Sequence, residues 1–170
     1  MTYSLLVGGA RSGKSALAER MATESGAPVV VVATAVPEDA EMAARIALHR
    51  HARPASWRTI EEPTDVAAAI AEVAADTFVV LDCLTLWVSN LVAAELDDVA
   101  VLRRAREVAG LLADRSGSAA VVSNEVGSGI VPVNDLARRY RDLLGRVNIE
   151  FAARADRTLL VVAGRTLELR

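Results

Sequence analysis

Apolar residues along this chain fall into two alternating patterns: continuous runs of about five, and stripes that recur every three or four positions. The runs predict strands covered on both faces, and the stripes predict helices packed along one side. Tyr3-Ser4-Leu5-Leu6-Val7 is a run that ends in Gly8-Gly9; from Ser15 onward Leu17 and Met21 take up helical spacing, and Gly26 stops it. Residues 29–33 are a β-branched run without alternation. Residues 39–51 predict a helix with Met42, Ala43 and Ile46 on one stripe, and Pro54 prevents much continuation. Residues 57–60 predict a short strand, and Thr64-Asp65 can cap an alanine-rich helix over 66–75.

A second buried strand over 77–82 carries Asp82 at its carboxyl end, and helices over 85–95 and 99–115 follow. A third buried strand, 119–123, runs into the loop Asn124-Glu125-Val126-Gly127-Ser128-Gly129. The last helix, about 134–155, has Leu136, Tyr140, Leu143, Leu144, Val147 and Phe151 on its inner stripe. Residues 159–163 and 166–169, hinged at Gly164, finish the sheet as a hairpin. Strands alternate with helices and nothing repeats, so the expectation is an α/β fold: one mostly parallel sheet with helices on both faces, forming a single domain over 1–170. Ligands of such sheets bind outside the carboxyl ends of the strands.

Composition narrows the function classes. A formal charge of −3 gives no basic field for nucleic acid or an anionic membrane, so an anion must be held locally. One cysteine excludes an internal disulfide framework and a multi-cysteine zinc site. The apolar runs are too short to cross a membrane, and the amino terminus lacks the pattern of a signal peptide, so a cytoplasmic protein is expected. Of the 19 basic residues only Lys14 is lysine. In an arginine background, a position that keeps lysine needs a compact, flexible ammonium rather than a planar fork.

Lys14 belongs to Gly8-Gly9-Ala10-Arg11-Ser12-Gly13-Lys14-Ser15, which matches G-x-x-x-x-G-K-[ST] between a predicted strand and helix. In that setting backbone N–H groups and the helix amino end cradle phosphates, Lys14 reaches the β- and γ-phosphates, and the Ser15 hydroxyl can ligand Mg2+. In isolation Asp82 reads as an ordinary strand-end carboxylate capping the next segment; next to this loop it stands where a strand-end carboxylate holds the same metal, and that reading is preferred. Cys83 is most simply a small apolar residue, and Trp57, Trp87 and Tyr140 are packing anchors. Asn124 and Glu125 suit a phosphate or substrate contact and an ordered loop equally. Both histidines, His49 and His51, crowd with Arg45, Arg50 and Arg53 near the end of one short helix. A solvated polar face explains such a cluster; so does phosphoryl chemistry, because neutral imidazole is a competent nucleophile near pH 7. Two residues apart, the histidines cannot share one helix face.

Taken in order, the phosphate loop, Ala33-Thr34, Glu41-Met42 with Arg45-Ile46 and His49-Arg50, Arg53-Pro54 with Trp57, Asp82-Cys83-Leu84-Thr85, Asn124-Glu125-Val126-Gly127 with Gly129-Ile130-Val131-Pro132, and Arg146-Val147-Asn148 form a specific set. Across nearly its whole length the chain resembles the bifunctional adenosylcobinamide kinase/adenosylcobinamide-phosphate guanylyltransferases of cobalamin biosynthesis. The resemblance implies two reactions. ATP or GTP first phosphorylates the aminopropanol hydroxyl of adenosylcobinamide. A histidine then takes GMP from GTP and passes it to adenosylcobinamide phosphate, giving adenosylcobinamide-GDP. It further implies that His49 is the guanylylated residue, and that 8–15, Ala33, Thr34, Ala35, Arg50, His51, Ala52, Arg53, Glu61 and Asp82 lie at the GTP site. A RecA-like fold and a homotrimer, whose subunit contacts complete the site, are implied as well. Two rival readings are a monofunctional small-molecule kinase on the same loop, which leaves His49 without a role, and a nucleotide-dependent binding module.

Overall fold

The structure, a computed structural model, describes residues 3–37 and 39–170; of these, the side chains of Glu41, Arg45, His49 and Ala52 lie outside the description. Strands and helices run β1 (Tyr3–Gly8), α1 (Lys14–Glu24), β2 (Val29–Ala33), α2 (Ala40–Ala52), β3 (Arg58–Glu61), α3 (Val66–Ala71), β4 (Phe78–Asp82), α4 (Leu84–Ala93), α5 (Asp98–Asp114), β5 (Ala119–Asn124), α6 (Asp135–Ala152), β6 (Arg157–Val162) and β7 (Arg165–Leu169). The sheet order is β3-β2-β4-β5-β1-β6-β7. All pairings are parallel except the terminal β6–β7 hairpin. The turn of that hairpin uses Ala163 and Gly164, both at positive φ, the geometry that suits the twist of tight hairpins.

Continuous apolar strands need cover on both sides, and they receive it. Val79 and Leu81 of β4 point into a core with α3, α4, α5 and α6, where Trp87, Leu91, Leu112 and Phe151 are fully buried. Phe78 and Val80 point to the opposite face, covered by Leu17, Ala18 and Ala22 of α1. Parallel pairing brings the carboxyl ends of the strands to one edge: Gly8 pairs with Asn124, and Ala33 with Asp82. The phosphate loop, Asp82 and the β5 exit loop therefore share one side of the sheet. The Asp82–Cys83 peptide is cis.

Three local expectations are corrected. Helix α3 ends at Ala71 rather than Ala75. The Arg115 guanidinium donates to the carbonyls of Ile70 in the last turn and of Val73, Ala74 and Thr77 beyond it, satisfying acceptors that the end of the helix leaves open. Leu136 is 59% exposed, because the buried stripe of α6 starts only at Leu143 and its first turn projects beyond the core. Ala43 is exposed, so the inward stripe of α2 is Met42 and Ile46.

Candidate active site

The loop over 8–13 has a defined backbone shape. Arg11 and Gly13 adopt positive φ, and the Ser12 amide donates to the Gly9 carbonyl across the turn. Gly13 caps α1 with no side-chain hydrogen bond, which leaves first-turn N–H groups available to an anion. The β6–β7 turn braces the loop from outside: the Gly164 amide donates to the Ser12 carbonyl at 2.8 Å. Glycine at position 8 is a matter of space, since a Cβ there would lie 2.2 Å from the Val161 carbonyl oxygen.

Lys14 is only 6% exposed and folds back onto its own loop, donating to the carbonyls of Gly8 and Gly9 at 2.9 and 2.7 Å and to Ser12 Oγ at 3.3 Å. Burial lowers its pKa, and the negative potential of Cys83 and Asp82 partly offsets that. The ammonium is thus held under the loop by three oxygen acceptors. Gly9, Ala10 and Arg11 form the exposed crest of the loop.

Beside the loop lies a cavity of about 180 Å³. Asp82, Cys83 and Asn124 line it from the strand ends, Ser15 from the first turn of α1, Ala33 and Ala35 from the β2 exit, and Met42, Ile46, Arg50 and Arg53 from α2 and its end. Thr59, Glu61, Thr85 and Leu86 complete the wall. Arg53 Nη2 lies 3.6 Å from Asp82 Oδ2, and Arg50 is ion-paired with Glu61 at the rim. Burial, then the Asp82 charge, pushes the Cys83 thiol up to about 11. Ser15 and Asp82 facing one space suit Mg2+, which typically takes one or two protein oxygens and completes its shell with phosphates and water.

Sequence-predicted residues separate into four groups. Ser15, Ala33, Ala35, Arg50, Arg53, Glu61 and Asp82 line one cavity, with 8–14 adjoining through the loop. Thr34 is fully buried beneath it, with its hydroxyl engaged by the Cys83 backbone: Thr34 Oγ1 donates to the Cys83 carbonyl at 2.7 Å and accepts from its amide at 3.0 Å. His51 is exposed, with Nδ1 2.8 Å from the Ala47 carbonyl oxygen of its own helix. The side chains of His49 and Ala52 lie outside the described residues; their backbone belongs to α2.

The sequence model of a family described as cobinamide kinase / cobinamide phosphate guanyltransferase matches residues 4–169. This chain belongs to that family. It is 46% identical to the bifunctional adenosylcobalamin biosynthesis protein CobP of Pseudomonas aeruginosa, covering 98% of this chain and 96% of the relative. It is 42% identical to the bifunctional adenosylcobalamin biosynthesis protein CobU of Salmonella typhimurium, covering 98% of each. Among solved structures, the RadB recombinase matches over 94% of this chain and 73% of that one, with 18% identity and a TM-score of 0.54. That likeness concerns the fold, which is RecA-like as the sequence resemblance implied. Among the described residues no helix is long and apolar enough to cross a membrane.

In this member of the cobinamide kinase / guanyltransferase family, the sequence reading did not find the supports around the site. Asn90 Nδ2 donates to the carbonyls of Thr34 and Pro63, tying the exits of β2 and β3 to α4. Thr85 Oγ1 accepts from the Asn124 amide, and its carbonyl accepts from Tyr140 Oη. Asn148 accepts from Ser123 Oγ and donates to the Asn124 carbonyl, which ties α6 to the β5 end. Nothing in the spacing of Asn90 or Thr85 signals these partners, because each lies across the fold. Asn148 belonged to a quoted motif, but its contacts needed the fold to be seen.

Proposed function

We propose that the phosphate loop and helix α2 serve both half-reactions of a bifunctional cobinamide kinase and guanylyltransferase at one nucleotide site. The observation that supports this reading is the shared cavity, walled on one side by Ser15 and Asp82 and on the other by Met42, Ile46, Arg50 and Arg53 of the histidine-bearing segment. Position 49 follows Met42 by seven residues and Ile46 by three, the spacing of one helix face, whereas position 51 falls on the opposite side.

In the kinase step the terminal phosphoryl group of ATP or GTP passes to the aminopropanol hydroxyl of adenosylcobinamide, and Lys14 leaves its loop carbonyls for the phosphate oxygens. In the transferase step a neutral His49 nitrogen attacks the α-phosphorus of GTP as the bond to the bridging oxygen breaks and pyrophosphate leaves. A phosphate oxygen of adenosylcobinamide phosphate then displaces the imidazole, giving adenosylcobinamide-GDP. Two in-line displacements replace one, and the cationic groups Lys14, Arg50 and Arg53 stand ready to stabilise the leaving phosphates. Bound Mg2+, held by Ser15 and Asp82, would neutralise phosphate charge. Assembly into homotrimers belongs to the same proposal.

The test follows label from GTP marked at the α- or the γ-phosphorus into corrinoid products. The γ label should appear in adenosylcobinamide phosphate and the α label in adenosylcobinamide-GDP, and Lys14→Ala should lose both. Guanylylation that persists undiminished in Lys14→Ala would mean two separate nucleotide sites.

A further inference from the structure

The loop after β5 contradicts the usual rule for apolar side chains. Ile130 is 97% exposed and Val133 96%, with Val131 and Leu136 also largely in solvent. The backbone beneath them is nonetheless pinned at both ends. The Glu125 amide donates to the Gly8 carbonyl of the phosphate loop, and Arg138 Nη1 donates to the carbonyls of Pro132 and Val133 at 2.8 and 2.6 Å. Asn134 Oδ1 accepts from the Ala137 amide and starts α6. The result is an anchored loop with aliphatic side chains held outward, the kind of exposed apolar patch that marks a binding surface.

Its position in the sheet says what approaches it. Strand β5 lies between β1, which feeds the phosphate loop, and β4, which ends in Asp82. The β5 exit loop therefore stands between the phosphate loop and Asp82, and its first residue, Asn124, lines the cavity. An acceptor that enters the cavity past Asn124 crosses this loop. It cannot be enclosed: a corrin macrocycle exceeds the drug-sized molecules that fill pockets of roughly 300–1,000 Å³, and this cavity offers about 180 Å³. The ring must rest on the surface while its aminopropanol arm reaches inward.

We propose that the loop over 126–133, through Ile130, Val131 and Val133, is the lip on which the apolar face of the corrinoid acceptor docks. This rests on the acceptor assigned above, and the experiment separates the two. Ile130→Ser, Val133→Ser and the double variant are compared with the apolar controls Ile130→Leu and Val133→Ile. The measurements are KM and kcat for adenosylcobinamide, KM for the nucleotide, corrinoid binding by equilibrium dialysis, and mass by sedimentation velocity. Each serine should raise the corrinoid KM and dissociation constant about tenfold, with kcat at saturation, nucleotide KM and mass unchanged, and with the apolar controls behaving as wild type. Unchanged corrinoid affinity in the double variant overturns the lip. So does a serine effect that follows loss of oligomer mass, because the loop would then be covered by a second copy. If wild type binds corrinoid in dialysis but never phosphorylates it, the proposed reaction fails while the dialysis series still tests the docking.

Discussion

Replacing Thr34 by valine keeps shape and burial but removes one hydroxyl. That hydroxyl donates to the Cys83 carbonyl and accepts from the Cys83 amide; the carbonyl also accepts from the Trp87 amide at 3.2 Å, so the amide next to Asp82 is the group that loses its partner. Leaving a buried polar group unpaired costs about 1–3 kcal/mol. That hydrogen bond is only part-buried, which places the cost near the lower end of the range, at about 1–2 kcal/mol. For a chain of 170 residues that corresponds to a fall in Tm of about 2–8 °C. The assay is urea denaturation with thermal melting in parallel, followed by nucleotide KM, since Asp82 is carried by the same backbone. Thr34→Ser is the control: it keeps the hydroxyl and loses one methyl group, at about 1 kcal/mol. Valine should cost more than serine and raise nucleotide KM, whereas serine should leave KM near wild type. A valine variant as stable as the serine variant, with unchanged KM, would refute the view that Thr34 acts by holding the Asp82–Cys83 backbone.

Two further outcomes follow from the same geometry. Gly8→Ala should lower stability by at least about 1–3 kcal/mol through overpacking and abolish nucleotide binding, because its Cβ would meet the backbone oxygen of Val161; Gly9→Ala, with nothing within 4 Å, should fold like wild type, and thermal melts with and without GTP distinguish them. The Cys83 thiol, raised to about 11 by burial and by Asp82, should be alkylated about 100-fold more slowly at neutral pH than a thiol at the ordinary value of 9.0. Its rate should rise with pH until the thiolate form predominates, and Asp82→Asn should speed it at fixed pH. A rate profile with its midpoint near 9.0 in wild type would show that the charge and burial around this thiol have been misjudged.

Much of the fold was legible because its cause is local. Buried parallel strands announce themselves as β-branched runs, and Gly8 to Ser15 carries its own strand-loop-helix context, so the anion cradle could be read from residue types alone. Helix limits were harder where tertiary contacts decide them. Alanine-rich residues 72–75 suit a helix by propensity, yet the Arg115 guanidinium, distant in sequence, takes up the carbonyls and ends α3 early. Leu136 has the right spacing for burial but sits on a turn that the core does not reach. At the site, residues that line the cavity were legible through the family motifs, while those that hold it together were not. Asn90 and Thr85 do their work through side-chain hydrogen bonds with distant backbone, two from Asn90 and one to Thr85 Oγ1, and no periodicity encodes that.

The central claim is that one imidazole of helix α2 becomes covalently guanylylated by a nucleotide gripped at the phosphate loop. Intact-protein mass spectrometry after incubation with GTP, with peptide mapping of the adduct, tests it most directly. The account predicts a single GMP-sized increment that is acid-labile and alkali-stable, mapped to His49, absent in His49→Asn and retained in His51→Asn. An increment of the same yield in His49→Asn, or one mapped to His51, would contradict it.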